Sequence, residues 1–485
     1  MLAPDGWNGG VQAGYNWQLA PQWLVGVEAD IQFSAAKDGT DCNLPCGAPI
    51  GLTAAGGTRL FPVTFSENSV HSELNWFGTL RGRLAYAAGP ALFYATGGLA
   101  YGEVSSNGRV AGAIIGALSG TQFSTFAGSF DASDARTGWT AGWGIEAQLG
   151  GNWSVKKEYL YLDLGTSTNT FNAVFLPGST NTGVATSHTV NEDIRQHVFR
   201  TGLNYKFGGP AAPIAPYNWA GFYIGANGGY SVGTHKTNVV AIAGPNLNVP
   251  AGTLLYGGPQ DFMLAPDGWN GGGQIGYNWH VMPQWVAGIE ADLQLAKASD
   301  RVNCYLPCGT TIALTTATGV GTPGATPVVF SEASVESKLD WFGTLRARVG
   351  RASGPAFFYF TGGLAYGEVS SSARVAGRTI GVILGGTINT FAGSYDTSET
   401  KIGWTLGSGL EAQLAGNWSL KTEYLYVDLG TVENTFNTIF LTPGGLAGDL
   451  AVTRTVSTEI KEHIFRAGLN YKFGAWGKGP VVSRY

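Results

Sequence analysis

Along much of this chain, side-chain character alternates at every second residue, and few folds accommodate such a pattern. In GWNGGVQAGYNW, Trp7, Val11, Ala13, Tyr15 and Trp17 share one parity, while Asn8, Gln12 and Asn16 take the other. WLVGVEADIQF sets Val25, Val27, Ala29, Ile31 and Phe33 against Glu28, Asp30 and Gln32. GWTAGWGIEAQL sets Trp139, Ala141, Trp143, Ile145 and Leu149 against Thr140, Glu146 and Gln148. Successive side chains of a strand point to opposite faces, so alternation over ten or so residues means a strand between two unlike environments. Each run is long enough to cross a bilayer when tilted, which takes about 9–11 residues.

The pattern occurs twice. MLAPDGWNGG at the start returns at 263–272, WFGTLRGR returns as WFGTLRAR, and HVFRTGLNYKF returns as HIFRAGLNYKF. The offset is 262 at the start (263 − 1) and 266 near the end (463 − 197). A repeat of this length is the architecture itself. The second copy has a strand-like segment before its MLAPDG, YNWAGFYIGANGGYSVG at 217–233, with no counterpart in the first. Met1 aligns with Met263 inside a unit. The expectation is therefore an internal start, with a further strand and a secretory signal peptide upstream.

Eight strands are predicted in the second copy, near 218–232, 268–281, 285–297, 335–349, 356–370, 401–414, 418–430 and 458–473. HVMP, RASGP and AGN are tight turns; the other connections are long, polar and rich in Gly, Thr and Asn, the asymmetry of outer-membrane barrels. The fold class expected is all-β, a transmembrane antiparallel β-barrel in two tandem eight-stranded units, the first lacking its first strand. Residues 1–207 form the first unit with seven strands, 208–216 a Pro/Ala linker, 217–474 the second unit with eight, and 475–485 a C-terminal tail. The competing architecture is one merged barrel of 15–16 strands around an aqueous channel.

Composition agrees. Charged residues are 13% of the chain, aromatics 12%, glycines number 74, and mean hydropathy is +0.04. No run of 18 apolar residues exists for a transmembrane helix, whereas alternating barrel strands average to near zero. A net charge of −5 argues against a nucleic-acid partner. The face opposite the aromatics collects Glu28, Asp30, Arg81, Arg83, Glu146, Lys156, Glu158, Arg200 and Lys206. The second copy repeats them as Glu290, Asp292, Arg346, Arg348, Glu411, Lys421, Glu423, Arg466 and Lys472. A soluble core could not bury nine charges cheaply, but a narrow barrel lumen can if they pair. Four acids against five bases per copy leave a slight basic excess. Inward glycines such as Gly142 and Gly144 are expected to make room for the long cationic side chains.

NWAGFYIGANGGY, WFGTLRxR, GGLAYGEV, WSxKxEYLYxDLG and FRxGLNYKF, in this order and nearly twice over, resemble the small OmpA-like outer-membrane barrels of alphaproteobacteria, the porin-family immunogenic surface antigens. The resemblance implies an outer-membrane location, eight-stranded barrels with periplasmic termini, and surface-exposed loops. It implies outer-membrane lipid and lipopolysaccharide as surroundings and the barrel-assembly machinery as a partner. The assembly signal would be a last strand with alternate hydrophobes ending in an aromatic, here Phe207 and Phe473. Family members usually carry one barrel; this chain carries two.

The remaining candidates have plain readings. Cys42 and Cys46, and Cys304 and Cys308, lie in the corresponding long loop of each copy; without neighbouring histidines they suit intraloop disulfides better than zinc. His197 and His463 are the histidines shared by the copies and are expected to hydrogen-bond inside the lumen. No Ser–His–acid set occurs in both copies, since His71 corresponds to Glu336 and His188 to Arg454. No catalytic residues, metal or cofactor are expected, and the chain is read as no enzyme. The leading function is a structural barrel that supports envelope integrity and displays loops while passing little or no solute. The alternatives are a general diffusion porin and a surface adhesin or ligand (haem) receptor.

Overall fold

The computed structural model describes residues 6–43, 63–88, 91–116, 122–175, 185–207, 217–243, 261–305, 328–380, 388–441 and 451–473. The alternating runs of the first copy form β1 (Asn8–Ala20), β2 (Trp23–Asn43), β3 (Val63–Ala88), β4 (Ala91–Gly116), β5 (Gln122–Gly150), β6 (Trp153–Phe175) and β7 (Ala185–Tyr205). The second copy forms β8 (Gly221–Gly233), β9 (His235–Ala243), β10 (Asp261–Leu264), β11 (Asp267–Met282), β12 (Trp285–Tyr305), β13 (Val328–Ser353), β14 (Ala356–Ile380), β15 (Ile388–Ala415), β16 (Trp418–Leu441) and β17 (Ala451–Lys472).

The strands fall into two antiparallel sheets, not one merged sheet. In the second unit β8 lies between β11 and β17, with Gly225 opposite Gln274 on one side and Asn470 on the other. The pairings from β11 to β17 and back through β8 thus form a ring of eight. Past Thr234, β9 continues alongside β17, and β10 pairs with β9. In the first unit, β1 to β7 pair in sequence order, and no pairing among the described residues joins β1 to β7. A side-chain bond from Gln12 Nε2 to Asn204 Oδ1 (2.5 Å) spans those edges. Its counterpart, Gln274 to Asn470 (2.5 Å), passes over Gly225 of β8.

The strands extend well beyond the predicted segments. β14 continues to Ile380 and β15 begins at Ile388, where 370 and 401 were expected. At about 3.3 Å per residue, the longest strands reach roughly three times the ~30 Å hydrocarbon core. The added lengths, such as SSSARVAGRTI, are small and hydroxylic. With water on the outer face there is little apolar contrast to alternate, although the backbone ladder continues. β9 (HKTNVVAIA) and β10 (DFML) were missed for a different reason, since nine and four residues are too few to show sustained alternation. At the tight turns, Gly151 and Gly416 take φ of +59° and +54°, a left-handed conformation open to glycine at little cost.

Aromatic pairs bracket the membrane-crossing part. Near the tight turns, Trp153 packs on Tyr205 (5.1 Å) and Trp418 on Tyr471 (5.1 Å). Further along the strands, Trp139 packs on Tyr161 (5.3 Å) and Trp404 on Tyr426 (5.4 Å). Between the bands, exposed outward residues such as Leu84, Leu99, Leu345 and Leu364 form the apolar wall that lipid requires.

Candidate functional site

The inward parity of β2, β3, β5, β6 and β7 brings eight charges together in the first lumen. Arg81 is the hub: it pairs with Glu158 (2.8 Å), Asp30 (2.9 Å) and Glu28. Lys156 reaches Glu28 (2.6 Å), Arg200 reaches Asp30 (2.9 Å) and Glu158 (2.5 Å), and Arg83 reaches Glu146 (3.0 Å). The second unit repeats the cluster. Arg346 holds Glu290 (2.5 Å), Asp292 (2.9 Å) and Glu423 (3.0 Å); Lys421 holds Glu290 (2.8 Å); Arg466 holds Asp292 (2.8 Å) and Glu423 (2.6 Å); and Arg348 holds Glu411 (3.2 Å). Most of these charges are almost fully buried, with Lys421, Glu423 and Arg466 at 0% exposure, while Glu146 keeps part of its side chain exposed. Buried ions are tolerated only when paired and hydrogen-bonded, and hydroxyls complete the set. Thr79 donates to Asp30 (2.7 Å), Tyr359 to Glu423 (2.9 Å) and Tyr223 to Glu290 (2.7 Å).

Two of the grouped lysines stand apart from the cluster. Lys206 lies exposed beyond the end of β7, and the Lys472 ammonium donates to the carbonyl of Asn218. Both sit at the barrel rim, where the chain leaves the ladder and a backbone carbonyl or water is nearer than a carboxylate. Each cluster therefore holds four acids and four bases, and the basic excess disappears. The inward glycines also serve another purpose. A Cβ on Gly144 would meet the Tyr94 hydroxyl at 2.6 Å, and one on Gly409 would meet Tyr359 Cζ at 2.1 Å. Gly142 instead faces Leu160 of β6. The space is used by the tyrosines and leucines, and Arg83 stacks over Tyr94 at 4.2 Å.

Away from the tight turns the lumen becomes apolar. Leu74, Phe77, Val104, Leu160, Leu162 and Val198 pack together in the first unit. Leu339, Phe342, Val369, Leu425, Val427 and Ile464 do so in the second. Val198 and Ile464 point inward, so His197 and His463 point outward, contrary to the expected lumen position. Parity along β7 and β17 requires it, because Phe199 and Phe465 also face out. Each histidine ring bonds the hydroxyl of an outward tyrosine: His197 with Tyr159 (2.9 Å), His463 with Tyr424 (2.7 Å).

Among the described residues, a Ser–His–acid contact occurs in the second unit. His235 Nδ1 lies 2.9 Å from Ser337 Oγ, and Nε2 lies 3.0 Å from Glu462 Oε1. Comparing the copies could not find it, since the first has no counterpart of His235. All three side chains are sealed at 0–1% exposure, so the serine has no access to a substrate. Farther along the strands, Glu336 is paired with Lys338 (2.8 Å) and Arg301. Burial pushes its carboxyl up, but hydrogen bonds and charge from Lys338 and Arg301 outweigh this and hold it below the usual carboxylate range.

Of the assembly-signal residues, Phe473 donates its N–H to Phe222 (2.9 Å) and packs on Tyr471 (5.3 Å), while Phe207 packs on Tyr205 (5.2 Å) and is largely exposed. Cys46 and Cys308, the side chains of Cys42 and Cys304, and the linker 208–216 lie outside the described residues.

A strand-only fold with aromatic bands, an outward apolar wall and charges folded inward defines an outer-membrane β-barrel protein. The chain belongs to the outer membrane protein beta-barrel domain family, which it matches twice, over residues 3–207 and 208–473. It is 32% identical over 269 residues to the 31 kDa outer-membrane immunogenic protein of Brucella melitensis biotype 1, covering 54% of this chain and 87% of the relative. It is 28% identical over 220 residues to the 22 kDa outer membrane protein of Rhizobium leguminosarum bv. viciae, covering 45% of this chain and 68% of the relative. A 25 kDa outer-membrane immunogenic protein of the same Brucella is 27% identical over 261 residues, covering 54% and 82%. The protein is a tandem duplication within an alphaproteobacterial family of outer-membrane barrels.

Proposed function

We propose that the protein is a structural barrel of the outer membrane, one that supports envelope integrity and displays its loops while passing little or no solute. The observation that carries this reading is the filled lumen. A neutral ion cluster is followed by a packed apolar layer in each unit; a solvated ion cannot cross the first without breaking buried pairs, or the second without shedding its hydration shell. The diffusion-porin reading would need a water-lined path through both layers. Names given to relatives as immunogenic proteins fit the loop display that this reading proposes. Deleting the gene is expected to raise detergent sensitivity and leakage of periplasmic enzymes, with restoration by the full chain. An intact envelope combined with slowed uptake of small hydrophilic solutes would overturn the reading in favour of a porin.

A further inference from the structure

The outward faces of the two units meet, and the contact has an internal symmetry. Phe199 stacks on Phe465 at 4.9 Å with ring planes 19° apart, and these two residues correspond between copies. Tyr159 lies 5.8 Å from Phe465, and its counterpart Tyr424 lies 6.5 Å from Phe199. Around them Ile145 and Leu410, Phe93 and Phe358, and Val155 and Leu420, each a corresponding pair, form one cluster. Exchanging the units reproduces the contact, which is the signature of an isologous interface about a twofold axis.

Two positions present in both copies differ in polarity and break that symmetry, and they touch each other. A further unmatched contact, His197 stacked on Tyr230 at 4.9 Å, comes from β8, which has no counterpart in the first copy. Lys157 stands where the second copy has Thr422, and Ser408 stands where the first has Trp143. The Lys157 ammonium donates to Ser408 Oγ (2.6 Å) and to the Ser408 carbonyl (2.5 Å), and the residue is 2% exposed. Lys156 and Glu158 face the lumen, so Lys157 faces out, about midway between the aromatic bands at Trp153 and Tyr161. On an isolated barrel that ammonium would sit in hydrocarbon, among the costliest places for a cation. Trp143 fills the opposite corner against Phe465 at 5.1 Å.

We propose that the duplication encodes a lateral barrel pair within the membrane, and that Lys157 and Ser408 are the residues that select unlike units. Pairing first unit with first unit would set the Trp143 indole where Lys157 needs a hydroxyl. Pairing second with second would set Ser408 against Thr422, two short side chains that leave the seam underfilled. Discrimination of this kind combines one favourable contact with two poor ones, and the tether raises the local concentration of the right partner.

The test uses the full chain in lipid vesicles, with a protease site placed in 208–216, the four native cysteines changed to serine, and Phe199→Cys with Phe465→Cys. After oxidation and cleavage, the halves are expected to stay joined until reduced, and mixed chains with different tags should give no inter-chain product. Tyr159→Cys with Phe465→Cys serves as a second pair should the first fail to show heat-modifiable migration. Adding Lys157→Thr should lower the cross-linked fraction several-fold, with Lys157→Arg retaining it. Separated halves for both cysteine pairs, a dominant inter-chain product, or no response to Lys157→Thr would overturn the proposal.

Discussion

Glu423 is ion-paired with Arg346 and accepts from Arg466 and the Tyr359 hydroxyl with no exposure to solvent, so its charge is held by three groups at once. Removing one member of a buried ion set strands the others and typically costs about 3–5 kcal/mol. Glu423→Gln should lower unfolding stability by about that amount in a urea titration of the lipid-embedded protein; a loss under about 1 kcal/mol would mean that the cluster is solvated. Gly409→Ala forces a methyl into the Tyr359 ring and should cost about 1–3 kcal/mol by overpacking in the same titration, whereas Gly416→Ala at the open turn meets no atom and adds only left-handed strain. The eight cluster residues were legible in each copy because charges sharing one parity on adjacent strands must meet inside a narrow barrel. His197 was misplaced because the neighbouring Val198 read as an outward hydrophobe; the structure buries Val198 in the lumen, so the parity shared with Phe199 puts His197 on the outer face. Lys157 carried a readable signal, WSVKKEYL against WSLKTEYL, an ammonium on the outward parity that only the partner unit explains. The His235–Ser337–Glu462 contact had no such signal, because it depends on the break at Thr234 between β8 and β9.

At the level of strands, the segments with one face in lipid and one in the lumen announced themselves, whereas their continuations did not. Contrast between two environments creates alternation, and where both sides are polar the ladder forms without it. β8 illustrates what a single element contributes. It pairs on both sides, carries Tyr223 onto Glu290, and lays Gly225 under the Gln274–Asn470 bond. Residues 217–485 should therefore refold alone in detergent with heat-modifiable gel migration. Residues 1–207 should not, since no pairing among the described residues covers the facing edges of β1 and β7, and lipid cannot satisfy open backbone groups. Placing residues 217–233 ahead of residues 1–207 should restore the shift, because Gln12 and Asn204 span the edges as their counterparts do across β8. Equal behaviour of all three chains would show that β8 is dispensable to closure.

For the whole molecule, the duplication was plain from the repeat, and the separation into two sheets follows from a charge balance that closes within each copy. The repeat alone could not show that the units touch, because an interface lies in the differences between copies as much as in what they share. Corresponding rings meet across the seam, and Lys157 and Ser408, which differ in polarity from their counterparts, meet beside them. Both lumens are filled, by ions near the tight turns and by apolar side chains farther along the strands. Planar-bilayer conductance of the refolded full chain tests this most directly. The filled lumens predict a silent membrane, with at most rare and small openings. Large, steady ohmic steps would contradict it and place a water-filled channel where the structure has packed side chains.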